Sequence, residues 1–352
     1  MRHQPTYIAF AASAILLLAL GLAACGDDAE ESTETGTPAA STPASATGRC
    51  VPGDGPPAEG SGPSGLEGKI TYVRLVFGCQ PDVYIMDADG SNAHAITDDP
   101  ALDDESDLSP DGKKVVFFSG RSGSAQIYVM NADGSDLKAL TSASGGDTSP
   151  RWSPDGSKIA FSHSGNIAVM NADGSDVKVI MEAQGSAMAA PCRAGSFVGS
   201  WSPDGERITF YSAVIGSGGN NTFWVCAINA DGSGLEVLVS EPEGGLHAEP
   251  YWSPDGRYIA FRDDRDAPCT AAGGECNYDI YTLDLETGDQ TNVTNNPKLD
   301  IEPVWSPDGE WIIFASNRED PNFDLYIVHP DGSDVQRLLN DPDSKDSYPS
   351  WR

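Results

Sequence analysis

"RWSPDGSKIAFS", Arg151 to Ser162, is the stretch that decides the fold. It returns as "SWSPDGERITFYS" from Ser200, "YWSPDGRYIAFR" from Tyr251 and "VWSPDGEWIIFAS" from Val304. An earlier copy, "DLSPDGKKVVFFS", starts at Asp107, and the final residues, "YPSWR", stop where the next "SPDG" would fall. The serine of the phrase serves as a ruler. Ser109, Ser153, Ser202, Ser253, Ser306 and the equivalent Ser350 stand 44, 49, 51, 53 and 44 residues apart. Periods of that length mark propellers or solenoids.

Inside one unit every segment reads as strand. "PRWS" is short and apolar-centred, "SKIAFS" and "NIAVMN" alternate, and "VKVIM" closes the unit. Ser-Pro-Asp-Gly has the residue order of a type I turn. "NADGSD" (from Asn131 and Asn171), "NADGSG" (Asn229), "DADGSN" (Asp87) and "HPDGSD" (His329) end the third strand with a Gly-containing hairpin signal. The oxygen-rich "NADGSD" turns lack the spacing and distant Glu of a calcium loop and read as hairpins. No segment carries a helical period. Four antiparallel strands per repeat describe a propeller blade.

The broken last phrase then has a partner. The folded part opens on a second strand, "GKITYVRL" from Gly68, followed by a third, "DVYIMDADG", and a fourth, "AHAIT". Joined to "YPSWR" they complete one blade and leave no open sheet edge. The sequence predicts an all-β fold: a six-bladed β-propeller of four-stranded antiparallel blades, the last closed by N- and C-terminal strands. Trp152, Trp201, Trp252, Trp305 and Trp351, with Leu108 in the first full copy, recur once per blade. They are expected to pack between neighbouring blades.

The pattern P-x-W-S-P-D-G-x-x-I-x-F followed by I-Y-x-M-x-x-D-G-S resembles the TolB-type, WD-like propeller repeat, from Gly68 to Arg352. The resemblance implies the propeller fold. It is weak for function, since such repeats serve in periplasmic scaffolds, beside peptidases and in some sugar lyases. TolB carries an α/β domain before its propeller, and no counterpart is read here.

Residues 1–24 read as an export signal: "MRHQPTY" carries Arg2, and an apolar run follows from Ile8 to Ala24. An uncleaved anchor helix is the alternative, the run sitting at the lower edge of a membrane span. "LAAC", Leu22 to Cys25, resembles the bacterial lipoprotein signal, which implies lipidation of Cys25. Residues 25–66 are rich in Gly, Pro, Ser, Thr and acid, with little to bury. That composition makes a flexible tether, spanning on the order of 35 Å by random-coil scaling. Residues 67–352 form the propeller. The expected location is a bacterial membrane, the propeller on its periplasmic or extracellular side.

The formal charge of −32 repels phosphate backbones and argues against nucleic acid. Beyond Cys25 there are six cysteines: Cys50, Cys79, Cys192, Cys226, Cys269 and Cys276. An even number in an exported chain suggests disulfides, and six allow 15 pairings. Nearness in the repeat frame favours Cys50–Cys79, Cys192–Cys226 and Cys269–Cys276, with buried thiols as the alternative. No spacing suggests a structural metal.

Antiparallel order puts the "SPDG" and "DGS" turns on one face, hereafter the turn face. The insertions, at 181–196, 213–221, 263–277 and 317–322, lie on the other, the loop face. Function sits on variable loops over a rigid scaffold. Five residues before each Trp equivalent stand Asp103, Asp147, Ser196, His247, Asp300 and Asp346. Three before it stand Glu105, Ser149, Val198, Glu249, Glu302 and Tyr348. These columns are expected to ring the channel mouth on the loop face, where carboxylates would attract cations or basic peptide segments. The alternative for the Asp column is a structural role repeated in each blade.

The function expected is a lipid-anchored, monomeric envelope propeller that binds a protein or peptide partner, without catalysis. A small-ligand or cation sensor is the alternative, and a carbohydrate lyase or hydrolase a weaker one. No cofactor is implied, although the channel would accept a divalent cation. The five histidines do not converge: His3 lies in the signal, and His94, His163, His247 and His329 in different blades. No G-x-S-x-G nucleophile elbow occurs.

Overall fold

The computed structural model describes residues 62–63 and 65–352, except 143–144, 185–190, 215–221, 241–245, 267–276 and 320. Twenty-four strands, β1 to β24 in chain order, form six four-stranded antiparallel sheets. Blade 1 runs outward as β24 (Ser344–Trp351), β1 (Lys69–Val76), β2 (Asp82–Asp87) and β3 (His94–Ala95). Blade 2 is β4 (Asp103–Leu108), β5 (Lys114–Ser119), β6 (Gln126–Asn131) and β7 (Lys138–Ala139). Blade 3 is β8 (Asp147–Trp152), β9 (Lys158–His163), β10 (Asn166–Asn171) and β11 (Lys178–Met181). Blade 4 is β12 (Gly195–Trp201), β13 (Arg207–Val214), β14 (Thr222–Asn229) and β15 (Glu236–Val239). Blade 5 is β16 (Ala248–Trp252), β17 (Tyr258–Asp263), β18 (Asp279–Asp284) and β19 (Gln290–Asn292). Blade 6 is β20 (Asp300–Trp305), β21 (Ile312–Ser316), β22 (Asp324–Val328) and β23 (Gln336–Arg337). The six innermost strands each touch the one on either side, so the blades close into a ring. Among the described residues no helix is long and apolar enough to cross a membrane.

The repeated phrase builds each blade in the same way. Its phenylalanine, at 117, 161, 210, 261 and 314, is fully buried, and Tyr72 takes that place in blade 1. Each such burial contributes about 1.5–3 kcal/mol. The Trp packs against the neighbouring blade, as expected. Trp152, Ile159 and Phe161 of blade 3 cluster with Val116, Phe118 and Ile127 of blade 2, and Trp252 of blade 5 packs on Val225 and Val239 of blade 4.

The turns explain their own residues. In blade 3, Ser153 Oγ donates to Asp155 (2.6 Å) and accepts from the Lys158 N–H (2.9 Å). Gly156 closes the turn at φ 68°, a left-handed conformation that suits glycine. The hydrogen bond from Ser153 holds the Asp155 carboxyl down at about 2. In the hairpin turn after β6, Gly134 also has positive φ, 83°, and a side chain there would meet Ile96 O at 2.9 Å.

The ring closes where "YPSWR" predicted. Strand β24 pairs with β1, Ile70 opposite Trp351 and Arg74 opposite Asp346. Backbone bonds join Lys69 N to Arg352 O (2.7 Å) and Arg352 N to Lys69 O (3.0 Å). Side chains then fasten blade 1 to blade 2: Ser350 Oγ donates to Asp107 (2.7 Å) and accepts from the Leu108 N–H (3.2 Å).

Cys192 and Cys226 are disulfide-bonded across a Cα distance of 5.9 Å, pinning the approach to β12 onto β14. Cys79 is disulfide-bonded as well. Cys25, Cys50, Cys269 and Cys276 lie outside the described residues, as do the signal segment and most of the tether.

Candidate functional site

The structure divides the two columns. The Asp column is occupied within its own blades. Arg121 donates to both oxygens of Asp103 (2.8 and 2.7 Å). His163 Nδ1 lies 2.6 Å from Asp147, and His247 Nδ1 lies 2.8 Å from Asp263. Asp300 accepts from Ser316 Oγ (2.5 Å) and Arg318 (2.9 Å). Asp346 takes a bidentate pair from Arg74 (2.7 and 2.8 Å). The arginines cap aromatic ladders, Arg121 over Phe117 and Tyr128, Arg318 over Phe314 and Tyr326. These five column residues are buried and line neither of the cavities described below.

The Glu column faces the channel. All six of its positions, Glu105, Ser149, Val198, Glu249, Glu302 and Tyr348, line one cavity of about 40 Å³. Five of them sit at left-handed φ: Glu105 47°, Ser149 52°, Glu249 57°, Glu302 58° and Tyr348 49°. Non-glycine residues pay for that conformation, which persists only where the surroundings enforce it. The cause is a bulge in each innermost strand, seen as a register shift between Asp104 and Asp107, Thr148 and Arg151, or Ile301 and Val304. A bulge re-aims side chains. Here it repeats around the axis and turns one residue per blade inward.

These residues bond around the ring. Ser149 Oγ donates to Glu105 (2.6 Å), the Glu302 N–H to Glu249 (2.8 Å) and the Tyr348 N–H to Glu302 (2.5 Å). Two cations that the repeat did not reveal join them. Arg262, from β17, stands 3.3 Å from Glu249, and burial of Lys345, from β24, lowers its pKa against the pull of Glu302, Asp104 and Glu249. Burial, reinforced by the charge of Glu249, pushes Glu302 up to about 8. Burial and the charge of Glu105 push Asp104 to about 8 as well. The phenol of Tyr348 is raised by burial and by Glu302. Glu302 Oε1 is buried without a hydrogen-bond partner.

The site is therefore an acidic constriction that favours donors and positive charge. Its volume admits only a few water-sized groups, not an enclosed organic ligand. Among the described residues, no group of three or more His, Cys, Asp or Glu side chains is arranged to hold a metal ion.

A second, wider cavity of about 280 Å³ opens on the turn face, lined by the Trp and Pro residues of the repeated phrase. Sequence reasoning treated those tryptophans as packing alone. The signal it passed over was cationic: Arg151 and Arg352, each flanking a repeat Trp. Arg151 and Tyr251 line both cavities and so form the waist between them.

Fold and repeat together define a six-bladed β-propeller whose repeat is similar to the TolB type. Residues 67–195 match the family model described as the TolB beta propeller domain. A Tol-Pal system protein TolB of Francisella tularensis is 30% identical over 109 residues, 31% of this chain and 23% of that protein. An uncharacterised protein of Agrobacterium fabrum is 32% identical over 100 residues, 28% of this chain and 29% of its own length. The crystal structure of TolB from Acinetobacter baumannii superposes with a TM-score of 0.65 at 23% identity, covering 81% of this chain and 66% of that one. The chain spans less than a third of the curated relatives it matches. The last comparison speaks for the fold alone.

Proposed function

We propose that this chain is a lipid-anchored envelope propeller that binds a protein or peptide partner on its loop face, engaging the acidic channel mouth. Three buried carboxylates, Asp104, Glu105 and Glu302, and the partly buried Glu249 gather at the constriction with Arg262 and Lys345. The unpartnered Glu302 Oε1 carries the reading: with its pKa pushed up to about 8 the carboxyl holds a proton in the empty site, and a partner that brings a cationic donor would displace that proton and satisfy the open oxygen. The small volume favours a Lys or Arg side-chain tip from a larger partner over a ligand enclosed whole. Export fits the disulfides and the TolB likeness, and Cys25 with the 25–66 tether would hold the propeller clear of the membrane.

The test is crosslinking capture from intact cells with the native chain and a Glu105→Gln/Glu302→Gln variant. One envelope protein captured by the native chain and lost with the variant is the expected result. Equal capture by both forms would remove the channel mouth from the interface.

A further inference from the structure

The cavity on the turn face is built unlike the rest of the molecule. The chain carries a formal charge of −32, yet among the described residues no Asp or Glu lines this cavity. Its two charged lining residues are Arg151 and Arg352. Arg151 spends its hydrogen bonds on the carbonyls of Gly199 (2.9 Å) and Pro150 (2.8 Å), and no carboxylate stands within ion-pair distance of it among the described residues. Arg352 has Asp107 only at 3.7 Å, donates to the Tyr251 hydroxyl at 3.1 Å, and leaves Nε without a partner.

The neutral polar groups of the wall are buried or already bonded. The indole N–H groups of Trp152, Trp252 and Trp305 are buried and unpartnered. Those of Trp201 and Trp351 are satisfied, by Arg151 O and Glu67 O, both at 3.0 Å. The hydroxyls of Ser253 and Ser306 are already donated to Asp255 and Asp308. What faces the cavity among the described residues is positive charge without a lining carboxylate, inside walls of indole and proline. Two guanidiniums, one without a carboxylate partner and the other with one only at 3.7 Å, favour an anionic ligand.

We propose that this cavity binds a small organic carboxylate. Arg151 and Arg352 take the carboxylate through charge-assisted hydrogen bonds, and the Trp and Pro walls take a flat apolar body. At about 280 Å³ the space lies near the lower end of small-molecule sites. An inorganic anion would leave the apolar walls uncovered. The site lies across the waist from the loop face and stands independently of partner binding there.

The lining supplies its own readout, because five of the chain's seven tryptophans stand on this cavity. The full chain is titrated with benzoate while tryptophan emission is followed. Benzamide, benzylamine and inorganic phosphate serve as probes of charge and of the apolar body. Saturable change with benzoate is expected, with each of the other three weaker by roughly tenfold or more, the equivalent of one charge-assisted hydrogen bond. Arg151→Gln weakens benzoate by a similar factor, and Arg151→Lys restores part of it. Benzamide or phosphate binding as well as benzoate would overturn the proposal. So would unsaturable benzoate quenching of the native chain, a result that needs no variant to fold.

Discussion

Arg74 of β1 holds Asp346 of β24 by two hydrogen bonds, 2.7 and 2.8 Å, across 272 residues of chain. Both side chains are buried, at 5% and 0% exposure, and Arg74 also packs on the rings of Tyr72 and Tyr84. The pair sits on the one sheet made from both ends of the propeller, so it clamps the ring shut. Removing Asp346 leaves the buried guanidinium with only the partly exposed Asp341, at 3.2 Å. Asp346→Ala is expected to lower unfolding free energy by up to about 3–5 kcal/mol. Urea denaturation measures this, and a loss under ~1 kcal/mol would show that the clamp adds little to the sheet's own pairing.

Stability around the acidic constriction should fall with rising pH. Burial holds Glu302 at about 8, against an ordinary 4.5, beside Glu249, Lys345, Arg262 and the Tyr348 N–H. The folded state therefore binds this proton more tightly than the unfolded chain. The stability it contributes is complete below about 4.5 and is lost as pH rises through about 8. Glu302→Gln, which cannot ionise, is expected to match the native protein near pH 4.5 and exceed it at pH 9 by roughly 1–4 kcal/mol. Thermal unfolding of both proteins across this range is the check. A difference that stays constant with pH would place the ionisation elsewhere.

The Cys192–Cys226 disulfide closes a loop of 34 residues within blade 4. Cys192→Ala/Cys226→Ala is expected to cost about 2–4 kcal/mol while leaving the propeller folded. Limited proteolysis should then find new cleavage near Arg193, ahead of β12. Unchanged stability and cleavage would mean that packing alone orders this segment.

The blade count, the strands and the closing sheet were legible because the repeated phrase carries its own turn chemistry and core residue. The channel was legible only in part. Residues two apart on a strand share a face, so Asp103 and Glu105, or Asp300 and Glu302, read as one acidic ring. The bulge breaks that alternation between them. It leaves the acids of the Asp column bound by Arg or His within their own blades and turns the Glu column to the axis. Nothing in the spacing announces a bulge, since the residues that adopt left-handed φ there are Glu, Ser and Tyr rather than Gly. Arg262 and Lys345 stand at repeat positions where the other blades carry no cation, and only the fold brings them to the carboxylates. The turn-face cavity was passed over because one tryptophan can both seal a blade interface and line a cavity.

The most direct test of the central claim compares the two faces of one blade. A photo-crosslinking residue is placed at Ser122, exposed in the loop after β5, or at Lys113, exposed in the turn before it. Crosslinking in intact cells at position 122 to a single envelope protein, without the same product from 113, is the result predicted. The same protein captured from 113 and not from 122 would contradict the account, because recognition would then lie on the turn face.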